Sequence, residues 1–249
     1  MKIISYNING IRASAKLGLL EWLKEEDADI ICLQEVRADE EICKSVLSPL
    51  NSYNIYYNCG NRKGYSGTIL MSKIAPNKVF YGLDDKIDDE GRLITAYYDN
   101  FVLLNCYVPN GNSRLEFKLE YLKTLTNKMI DLSKNTNVIL CSDTNIAHNE
   151  IDVNKPQILC KNSGFLLEER IFLDKLVNNS FIDTFRHLNK NKVQYTWRSY
   201  SARDKSLSYG WRYRFDYIFV DNKLTQKLTT CASPDLIYSD HLPVILNLE

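Results

Sequence analysis

The chain has 249 residues, of which 45% are hydrophobic and 25% are charged, and its formal net charge is zero, which suits a globular domain with a large core. No apolar run approaches the roughly 20 residues of a membrane span, no signal peptide precedes the first strand-like run, and no linker or low-complexity tract divides the chain. We therefore expect one domain over residues 1–249, in a cytoplasmic protein with no membrane partner.

The predicted elements begin with a β-α-β unit, in which strands at 2–7 and 30–33 flank apolar residues at helical spacing from Leu19 to Leu23. Ser113 to Glu116 has the pattern of a capping box, and the long amphipathic helix that follows extends to Leu132. A tight turn is predicted at Asp99-Asn100 and a helix over 168–178. Further strands are predicted at 53–58, 68–72, 93–98, 101–108, 138–141, 195–197, 215–220 and 244–248. This mixture predicts an α/β sandwich rather than a barrel.

Polar residues follow or precede four of these apolar runs, where uncompensated burial would cost about a few kcal/mol per group. If the strands lie side by side in one sheet, their ends gather amides, acids and a histidine at one rim. That composition is typical of a metal-assisted hydrolase. The residues are Asn7, Asn9, Glu35, Asp143, Asn145, Asp240 and His241.

A set of short motifs is spread over nearly the whole chain. The motifs are Ser-Tyr-Asn-Ile-Asn-Gly-Ile-Arg (5–12), Leu-Gln-Glu-Val-Arg (33–37), Gly-Tyr-Ser-Gly-Thr (64–68), Glu-Gly-Arg (90–92), Asn-Cys-Tyr-Val-Pro-Asn-Gly (105–111), the stretch from Asp143 to Asp152, Gly-Phe-Leu-Leu-Glu-Glu-Arg (164–170), Asp-Thr-Phe-Arg (183–186), Tyr-Thr-Trp (195–197), Gly-Trp-Arg (210–212), Phe-Asp-Tyr (215–217) and Ser-Asp-His-Leu-Pro (239–243). In sequence and in order, they resemble the exonuclease III type of apurinic/apyrimidinic (AP) endonucleases, within the endonuclease/exonuclease/phosphatase superfamily.

The resemblance implies two packed sheets with flanking helices, the deoxyribonuclease I-like fold, and a site at one end of the sheets. It implies a monomeric DNA-repair enzyme that acts on double-stranded DNA with abasic or 3′-blocked sites. The implied reaction is hydrolysis of the phosphodiester 5′ to an abasic site, with 3′→5′ exonuclease and 3′-phosphatase or phosphodiesterase activity.

Phosphodiester hydrolysis of this kind needs a hard cation, and Mg²⁺ is the expected cofactor, with Mn²⁺ as a substitute. Glu35 is the first choice of ligand, although a surface ion pair with Arg37 would also explain a glutamate there. Asp240 is the second acid, and Asn7 or Asn9 can add an oxygen. The candidate metal group also includes Asp143, Asn145 and His241, because the residues alone do not separate direct ligands from those that act through water.

The resemblance also assigns catalytic roles. It implies that Asp143 positions and deprotonates the attacking water and that Asn145 donates a hydrogen bond to the phosphate. Asp143 and Asn145 alternate along a segment expected to be extended, so their side chains should face the same way, although an Asx-rich turn after the strand would also explain the pair. It further implies that Asp216 orients His241 and favours its cationic form, and that Tyr107 contacts the scissile phosphate or stabilises the leaving group.

Substrate contacts are expected from a phosphate-binding loop and an aromatic pocket. Arg62, Lys63 and Tyr65 form the candidate loop, helped by Arg37 and Asn110. Trp197 and Trp211 are expected to wall a pocket that accepts an extruded sugar lacking its base, although either tryptophan could instead belong to the core.

Three departures from the family pattern bear mainly on this pocket. Arg198 stands where a second aromatic residue is usual, and the motif from Gly210 to Asp216 is two residues longer than the family's. Ser142 and Thr144 replace a glycine and a bulky apolar residue beside Asp143.

Charge along the chain is segregated, so a net charge of zero does not exclude a polyanionic partner. Residues 198–214 carry five basic residues and one acidic residue, and residues 84–90 carry five acidic residues and one basic residue. Ordinary solvated loops would also explain either run.

The cysteines and the remaining histidines are expected to be structural. The seven cysteines include no C-x-x-C pair and should be reduced, with Cys32, Cys106 and Cys141 packed in the core. His148 is expected to brace the loop at Asp143, and His187 to lie at a strand end.

Two alternatives remain open at this point. A protein of the same fold could hydrolyse a different phosphoester, or the chain could be an inert DNA-binding or protein-binding relative, which would have lost part of the acid and amide set.

Overall fold

Two six-stranded sheets form the centre of the fold in the part of the chain that the computed structural model describes, which is residues 1–83, 89–199 and 210–249. The first sheet contains, in spatial order, β13 (Leu228–Ala232), β14 (Val244–Leu248), β1 (Lys2–Asn7), β2 (Ile30–Gln34), β4 (Thr68–Ser72) and β3 (Asn54–Asn58). The second contains β5 (Lys78–Tyr81), β6 (Leu93–Tyr97), β7 (Phe101–Tyr107), β8 (Asn137–Asp143), β12 (Asp216–Asp221) and β9 (Phe181–Asp183). A separate two-stranded ribbon pairs β10 (Trp197–Ser199) with β11 (Gly210–Tyr213).

Helices cover the outer face of each sheet. Apolar residues of α1 (Ile11–Lys16), α2 (Leu19–Glu26) and α3 (Glu40–Leu47) pack with the first sheet. Those of α4 (Leu115–Ser133) and α6 (Leu167–Asn178) pack with the second. Two short helices, α5 (Pro156–Leu159) and α7 (Thr184–Leu188), lie in the second half of the chain.

The layers follow from the two-residue period of the strands, which sends successive side chains to opposite faces. Ile3 belongs to the core between the sheets, whereas Ile4 belongs to the core under the first helical layer. On β8, Ile139 faces the other sheet and Leu140 faces α4 and α6. Strands buried on both faces read as continuous apolar runs, and the result is the predicted α/β sandwich with flanking helices, which is confirmed.

The strand pairings bring the polar strand ends to one edge of the sandwich. β1 and β2 are parallel, with Asn7 opposite Gln34, so Glu35 follows directly at the same edge. The possibility that the four strands with polar ends share one sheet is wrong, because β8 belongs to the second sheet whereas β1, β2 and β14 belong to the first. The two rims meet because the sheets are stacked face to face.

Most predicted elements exist, with shifted ends. The bounds of β1, β4 and β14 agree with the prediction, and the turn at 99–100 is confirmed by a hydrogen bond from Tyr98 N to Phe101 O of 2.9 Å. The predicted capping box is wrong, since Arg114 is the N-cap of α4 and no side chain caps it. The strand predicted at 195–197 begins only at Trp197, and His187 lies exposed in α7 rather than at a strand end.

Other sequence expectations concern the cysteines, membrane spans and charged runs. All seven cysteines are free, and Cys32, Cys106 and Cys141 are buried in the core as predicted. No helix within the described ranges is long and apolar enough to cross a membrane. Several members of the charged runs lie outside the described residues: Asp84, Asp85, Lys86, Asp88, Arg203, Asp204 and Lys205.

Candidate active site

A buried group of two carboxylates and an imidazole lies at the edge of the sandwich. Asp143 ends β8 and Asp216 begins β12, and the antiparallel pairing sets these two residues opposite each other. His241 Nδ1 lies 2.9 Å from Asp216 Oδ2, and His241 Nε2 lies 3.9 Å from Asp143 Oδ2. All three residues are at most 4% exposed, so their charges interact with little screening by water.

Burial and charge act in opposite directions on these groups. Burial by itself lowers the pKa of the His241 imidazole, but the fields of Asp216, Asp143 and Asp240 outweigh it and raise the pKa to about 10. Burial raises the pKa of the Asp143 carboxyl to about 7, against the lowering effect of His241. The ring is therefore a cation at neutral pH, and Asp143 is poised to exchange a proton.

Asn7 connects this group to Glu35. Its amide nitrogen donates to Glu35 Oε2 at 2.9 Å and to Asp143 Oδ2 at 2.8 Å, and its oxygen accepts from the Asn9 backbone N–H at 3.0 Å. Asn7 is completely buried, so both ends of its amide are used in holding the acids of the two sheets together.

The side chains of Asp143 and Asn145 lie close together, but the backbone conformation that brings them together differs from the one predicted. The segment is not extended at this point, because Asn145 has a positive φ of 50°. The turn lets the Asn145 backbone N–H donate to Asp143 Oδ1 at 2.8 Å, while the Asn145 amide nitrogen lies 3.4 Å from Asp143 Oδ2. The two side chains are therefore held together as expected, with the turn as the physical reason.

Three oxygen-bearing side chains, those of Glu35, Asn9 and Asp240, line the cavity beside the buried group. Asn9 donates its amide N–H to Asp240 Oδ1 at 2.8 Å, and its buried Oδ1 atom has no hydrogen-bond partner among the described residues. Glu35 Oε1 accepts from Arg37 at 2.5 Å, so the ion pair considered as an alternative is present and leaves the carboxylate facing the cavity. Carboxylate and amide oxygens with an unsatisfied acceptor fit a hard divalent cation.

Tyr107 ends β7 opposite Asp143 and lines the same cavity. Burial raises the pKa of its hydroxyl well above the usual value, with Glu35 and Asp143 acting in the same direction, so the phenol remains protonated. The guanidinium of Arg92 lies 4.9 Å from the centre of the Tyr107 ring and donates to the Tyr107 carbonyl oxygen at 3.1 Å. Tyr107 is thus fixed as a hydrogen-bond donor.

The active-site cavity has a volume of about 670 Å³ and extends from these residues to an aromatic wall. Trp197 lines it and forms a β-bridge with His241, which sets the wall beside the reactive group. The Trp197 ring lies 5.7 Å from Phe215 and 5.9 Å from Tyr213, and all three line the cavity. Trp211 is not among the residues that line it, and instead its ring lies 5.3 Å from the Arg198 guanidinium.

The predicted phosphate-contacting residues fall into two places. Arg37 and Asn110 line the active-site cavity. Arg62 and Tyr65 line a separate cavity of about 460 Å³, together with Arg114 and Glu90. Arg62 lies 5.2 Å from the Tyr65 ring, and the buried Arg92 donates to the Tyr65 hydroxyl at 3.0 Å, so this loop is tied to the strand that carries Tyr107.

Several residues of the site were not predicted. Lys161, Asn162, Ser163 and Arg212 line the active-site cavity, and behind it Lys118 and Glu169 form a buried ion pair. Lys118 lies three residues after Leu115 and four before Leu122, on the apolar face of α4. A lysine on the apolar face of a helix is unusual, and this was the feature of the sequence that could have indicated a buried charge. The bracing role expected of His148 has a geometric basis, since it pairs with Asp174 at 2.8 Å and its backbone N–H donates to the Tyr217 hydroxyl at 3.0 Å.

Comparison with known proteins gives matches over the full length. The Endonuclease/Exonuclease/phosphatase family matches residues 4–241. An exodeoxyribonuclease of Bacillus subtilis (strain 168) is 38% identical over 253 residues, covering 99% of this chain and 98% of the relative. The DNA repair nuclease APEX1 of Danio rerio is 36% identical over 259 residues, covering 100% of this chain and 82% of the relative. The structure of an AP endonuclease from Archaeoglobus fulgidus superposes with a TM-score of 0.87 at 27% identity, covering 100% and 99% of the two chains.

Proposed function

The chain belongs to the Endonuclease/Exonuclease/phosphatase family, and we propose that it is a Mg²⁺-dependent DNA-repair nuclease that hydrolyses the phosphodiester 5′ to abasic sites. The observation that carries the proposal is the joint lining of one cavity by Glu35, Asp143, His241 and Trp197. We further propose 3′→5′ exonuclease and 3′-phosphatase or phosphodiesterase activity on 3′-blocked ends, in a cytoplasmic monomer.

Mg²⁺ would be held by Glu35, Asp240 and Asn9, with Mn²⁺ as a substitute. Their oxygens line the cavity, and the unsatisfied Asn9 Oδ1 supports this choice. When bound, the ion supplies positive charge that stabilises the phosphate oxygens in the transition state. Asn7 would act by holding Glu35 and Asp143 in place, because its own oxygen already accepts from Asn9.

Different side chains would then carry out the proton transfer and the stabilisation of negative charge. Asp143 accepts a proton from the attacking water, and its pKa of about 7 suits a general base near neutral pH. Protonated His241, with Asp216 on its other nitrogen, donates a hydrogen bond to a phosphate oxygen as negative charge grows. Asn145 would donate its amide N–H in the same way, and Tyr107 would contact the phosphate or the leaving oxygen through its hydroxyl.

Selection of an abasic sugar would depend on the aromatic wall. Trp197, Tyr213 and Phe215 form a stacked apolar surface beside His241. A sugar without a base loses no stacking energy of its own when it leaves the helix, and it would fit against this wall. Arg37, Asn110, Arg62 and Tyr65 would contact the DNA backbone, which carries most of the affinity but no selectivity for the lesion.

The test uses a labelled duplex with one abasic analogue, an otherwise identical intact duplex, and a duplex with a 3′-phosphate. Each is incubated with Mg²⁺, with Mn²⁺ and with a chelator. We expect incision 5′ to the abasic site and removal of the 3′-phosphate, both requiring the metal. Binding of the abasic duplex without cleavage under any metal condition would favour an inert relative, and neither binding nor cleavage of any of the three duplexes would favour another substrate class.

A further inference from the structure

A buried ion pair lies directly behind the wall of the active-site cavity. Lys118 of α4 and Glu169 of α6 are both 0% exposed, and Lys118 Nζ lies 2.6 Å from Glu169 Oε1. Taking two charges out of water is costly, and apolar residues of similar volume are often at least as stabilising as such a pair. Stability alone therefore does not explain why charged residues occupy this part of the core.

Lys118 is bonded to the turn that carries the catalytic residues. Its Nζ atom donates to the backbone carbonyl oxygen of Asn145 at 2.7 Å. Asn145 has a left-handed backbone conformation, which asparagine tolerates better than most residues, and the contact from Lys118 adds to the local hydrogen bonds that hold it there. The N–H of the same residue donates to Asp143 Oδ1, and Lys118 thereby helps to fix the orientation of the Asp143 carboxylate.

Glu169 is bonded to the segment 161–166, which forms the adjoining wall. Its Oε2 atom accepts from the backbone N–H groups of Gly164 at 2.6 Å and Leu166 at 3.1 Å, and its Oε1 atom accepts from the Ser163 hydroxyl at 2.9 Å. Together with Lys118, these donors occupy the four acceptor positions of the carboxylate. The wall segment and the catalytic turn also meet directly, through a 2.7 Å hydrogen bond from Ala147 N to Gly164 O.

Gly111 shows how tightly this arrangement is packed. A Cβ atom at this position would lie 2.4 Å from Ser163 Oγ, 3.0 Å from Glu169 Oε1 and 3.2 Å from Lys118 Cδ. Gly111 itself lines the cavity, and a side chain here would displace the Ser163 hydroxyl that donates to Glu169. The geometry of the pair and the shape of the cavity are therefore linked.

We propose that Lys118 and Glu169 are positioning residues for phosphodiester hydrolysis, which hold the Asn145 turn and the 161–166 wall in one relative arrangement. The inference rests on the proposed function and adds two residues to it. Neither side chain lines the cavity, so Lys118 acts through the Asn145 carbonyl group, and Glu169 acts through two backbone N–H groups and the Ser163 hydroxyl. Their loss should lower turnover more than it weakens DNA binding.

The central test is the double variant Lys118→Met/Glu169→Met, which removes both charges and leaves no unpaired ion. Lys118→Arg keeps a cation that can reach the same acceptors. Lys123→Met is the matched control, since Lys123 pairs with Glu120 on the exposed side of the same helix. For each protein we would measure the Tm, kcat and KM on the abasic duplex, kcat on an intact duplex with a recessed 3′ end, and amide hydrogen exchange at Gly164 and Leu166.

We expect the double variant to fold with a lowered Tm, because the Asn145 carbonyl oxygen, the Gly164 and Leu166 N–H groups and the Ser163 hydroxyl lose their buried partners. At temperatures well below that Tm, kcat should still be lowered on the order of 100-fold, as misplacement of reacting groups by about 1 Å can produce. KM should change little, and exchange at Gly164 and Leu166 should accelerate. Lys118→Arg should recover part of kcat, and Lys123→Met should match the wild type. A double variant with wild-type kcat, or with unchanged exchange at both amides, would overturn the proposal.

A double variant whose activity declines only in step with a lowered Tm would also overturn it, since the pair would then be structural. Failure of the proposed function looks different: the wild-type protein itself would cleave neither DNA substrate. The exchange measurement needs no substrate and no metal, so it tests the positioning role in that case as well.

Discussion

Replacement of Asp216 by asparagine tests whether this buried carboxylate keeps His241 cationic. Asp216 Oδ2 lies 2.9 Å from His241 Nδ1, and asparagine keeps the side-chain volume while removing the charge. Burial lowers the pKa of the His241 imidazole, and Asp216 makes the largest of the contributions that raise it against burial to about 10. Without Asp216, only Asp143 and Asp240 remain to oppose the effect of burial.

The rise in the His241 pKa from 6.5 to about 10 corresponds to about 5 kcal/mol, at about 1.36 kcal/mol per pKa unit. If Asp216, Asp143 and Asp240 contributed equally to this rise, Asp216 would account for about one pKa unit. The three acids must also offset the lowering effect of burial, so the true contribution of Asp216 is larger. We therefore expect the His241 pKa to fall by at least about one unit in the variant. Because the folded-state pKa lies above the ordinary value, this stabilisation is complete below pH 6.5 and is lost as the pH rises to about 10. The metal-free variant should therefore show a weaker dependence of stability on pH across that window.

The assay is a titration of the imidazole resonances of the metal-free protein by NMR. The chain has three histidines, and the signal that disappears in His241→Gln identifies the one of interest. The His241 signal should titrate near pH 10 in the wild type and at lower pH in Asp216→Asn, whose kcat with Mg²⁺ at neutral pH should fall by orders of magnitude. An unchanged His241 titration in the variant would refute the reasoning.

Three further predictions concern the same cavity. Glu35→Gln removes a ligand charge but little volume, so cleavage should be lost at low Mg²⁺ and partly recovered at high Mg²⁺, while the Tm is retained. Turnover equal to that of the wild type at low Mg²⁺ would exclude Glu35 from the metal site. Asp143→Asn and His241→Ala should each lower kcat by orders of magnitude while the Kd for abasic duplex is preserved, and their effects should combine less than additively. If either variant lost affinity for the duplex in proportion to its loss of rate, the assigned roles would be wrong. Trp197→Ala should weaken discrimination between abasic and intact duplex more than Trp211→Ala does, because of these two residues only Trp197 lines the cavity. Discrimination is measured as the ratio of the kcat/KM values for the two duplexes. A larger effect of Trp211→Ala would show that the pocket lies elsewhere.

The gathering of the candidate site residues at one edge was predictable from the sequence because they stand at the ends of apolar strands. Parallel pairing of β1 with β2, and of β7 with β8, carries Glu35, Tyr107 and Asp143 to the same edge, which is a local consequence of strand direction. The arrangement of strands in two sheets was not predictable in this way. Stacking of the sheets depends on which face of each strand is buried against which partner, and buried strands are apolar on both faces.

The supporting residues were harder to predict because their partners are distant in sequence. Lys118 and Glu169 are 51 positions apart, and neither has an opposite charge three or four residues away that would mark it as one of a helical pair. The turn at Asn145 stood only as an alternative because part of what favours its positive φ is distant in sequence: besides the local hydrogen bond to Asp143, its carbonyl oxygen accepts from Lys118 of α4 and its amide donates to Val108. Chain-local patterns indicate the candidate reacting residues, whereas the groups that hold them are set by packing.

The reactive group and the substrate wall depend on different parts of the fold, which bears on how specificity can change. Asp143 and Asp216 lie on paired strands of the second sheet, whereas Trp197 lies on the two-stranded ribbon outside both sheets. Arg198, where the family usually has an aromatic residue, is on the same ribbon and lies over Trp211, which the cavity does not include. Changes in the ribbon should therefore alter which sugar or base is accepted while the second sheet still holds Asp143 and Asp216. Trp197 forms a bridge with His241 and the Arg198 N–H donates to the Asp240 carbonyl oxygen at 3.0 Å, so changes at these two ribbon positions would also reach the site. The departures of this chain from the family pattern fall mostly on the ribbon, so we expect its substrate range, rather than its hydrolytic chemistry, to be what distinguishes it from its relatives.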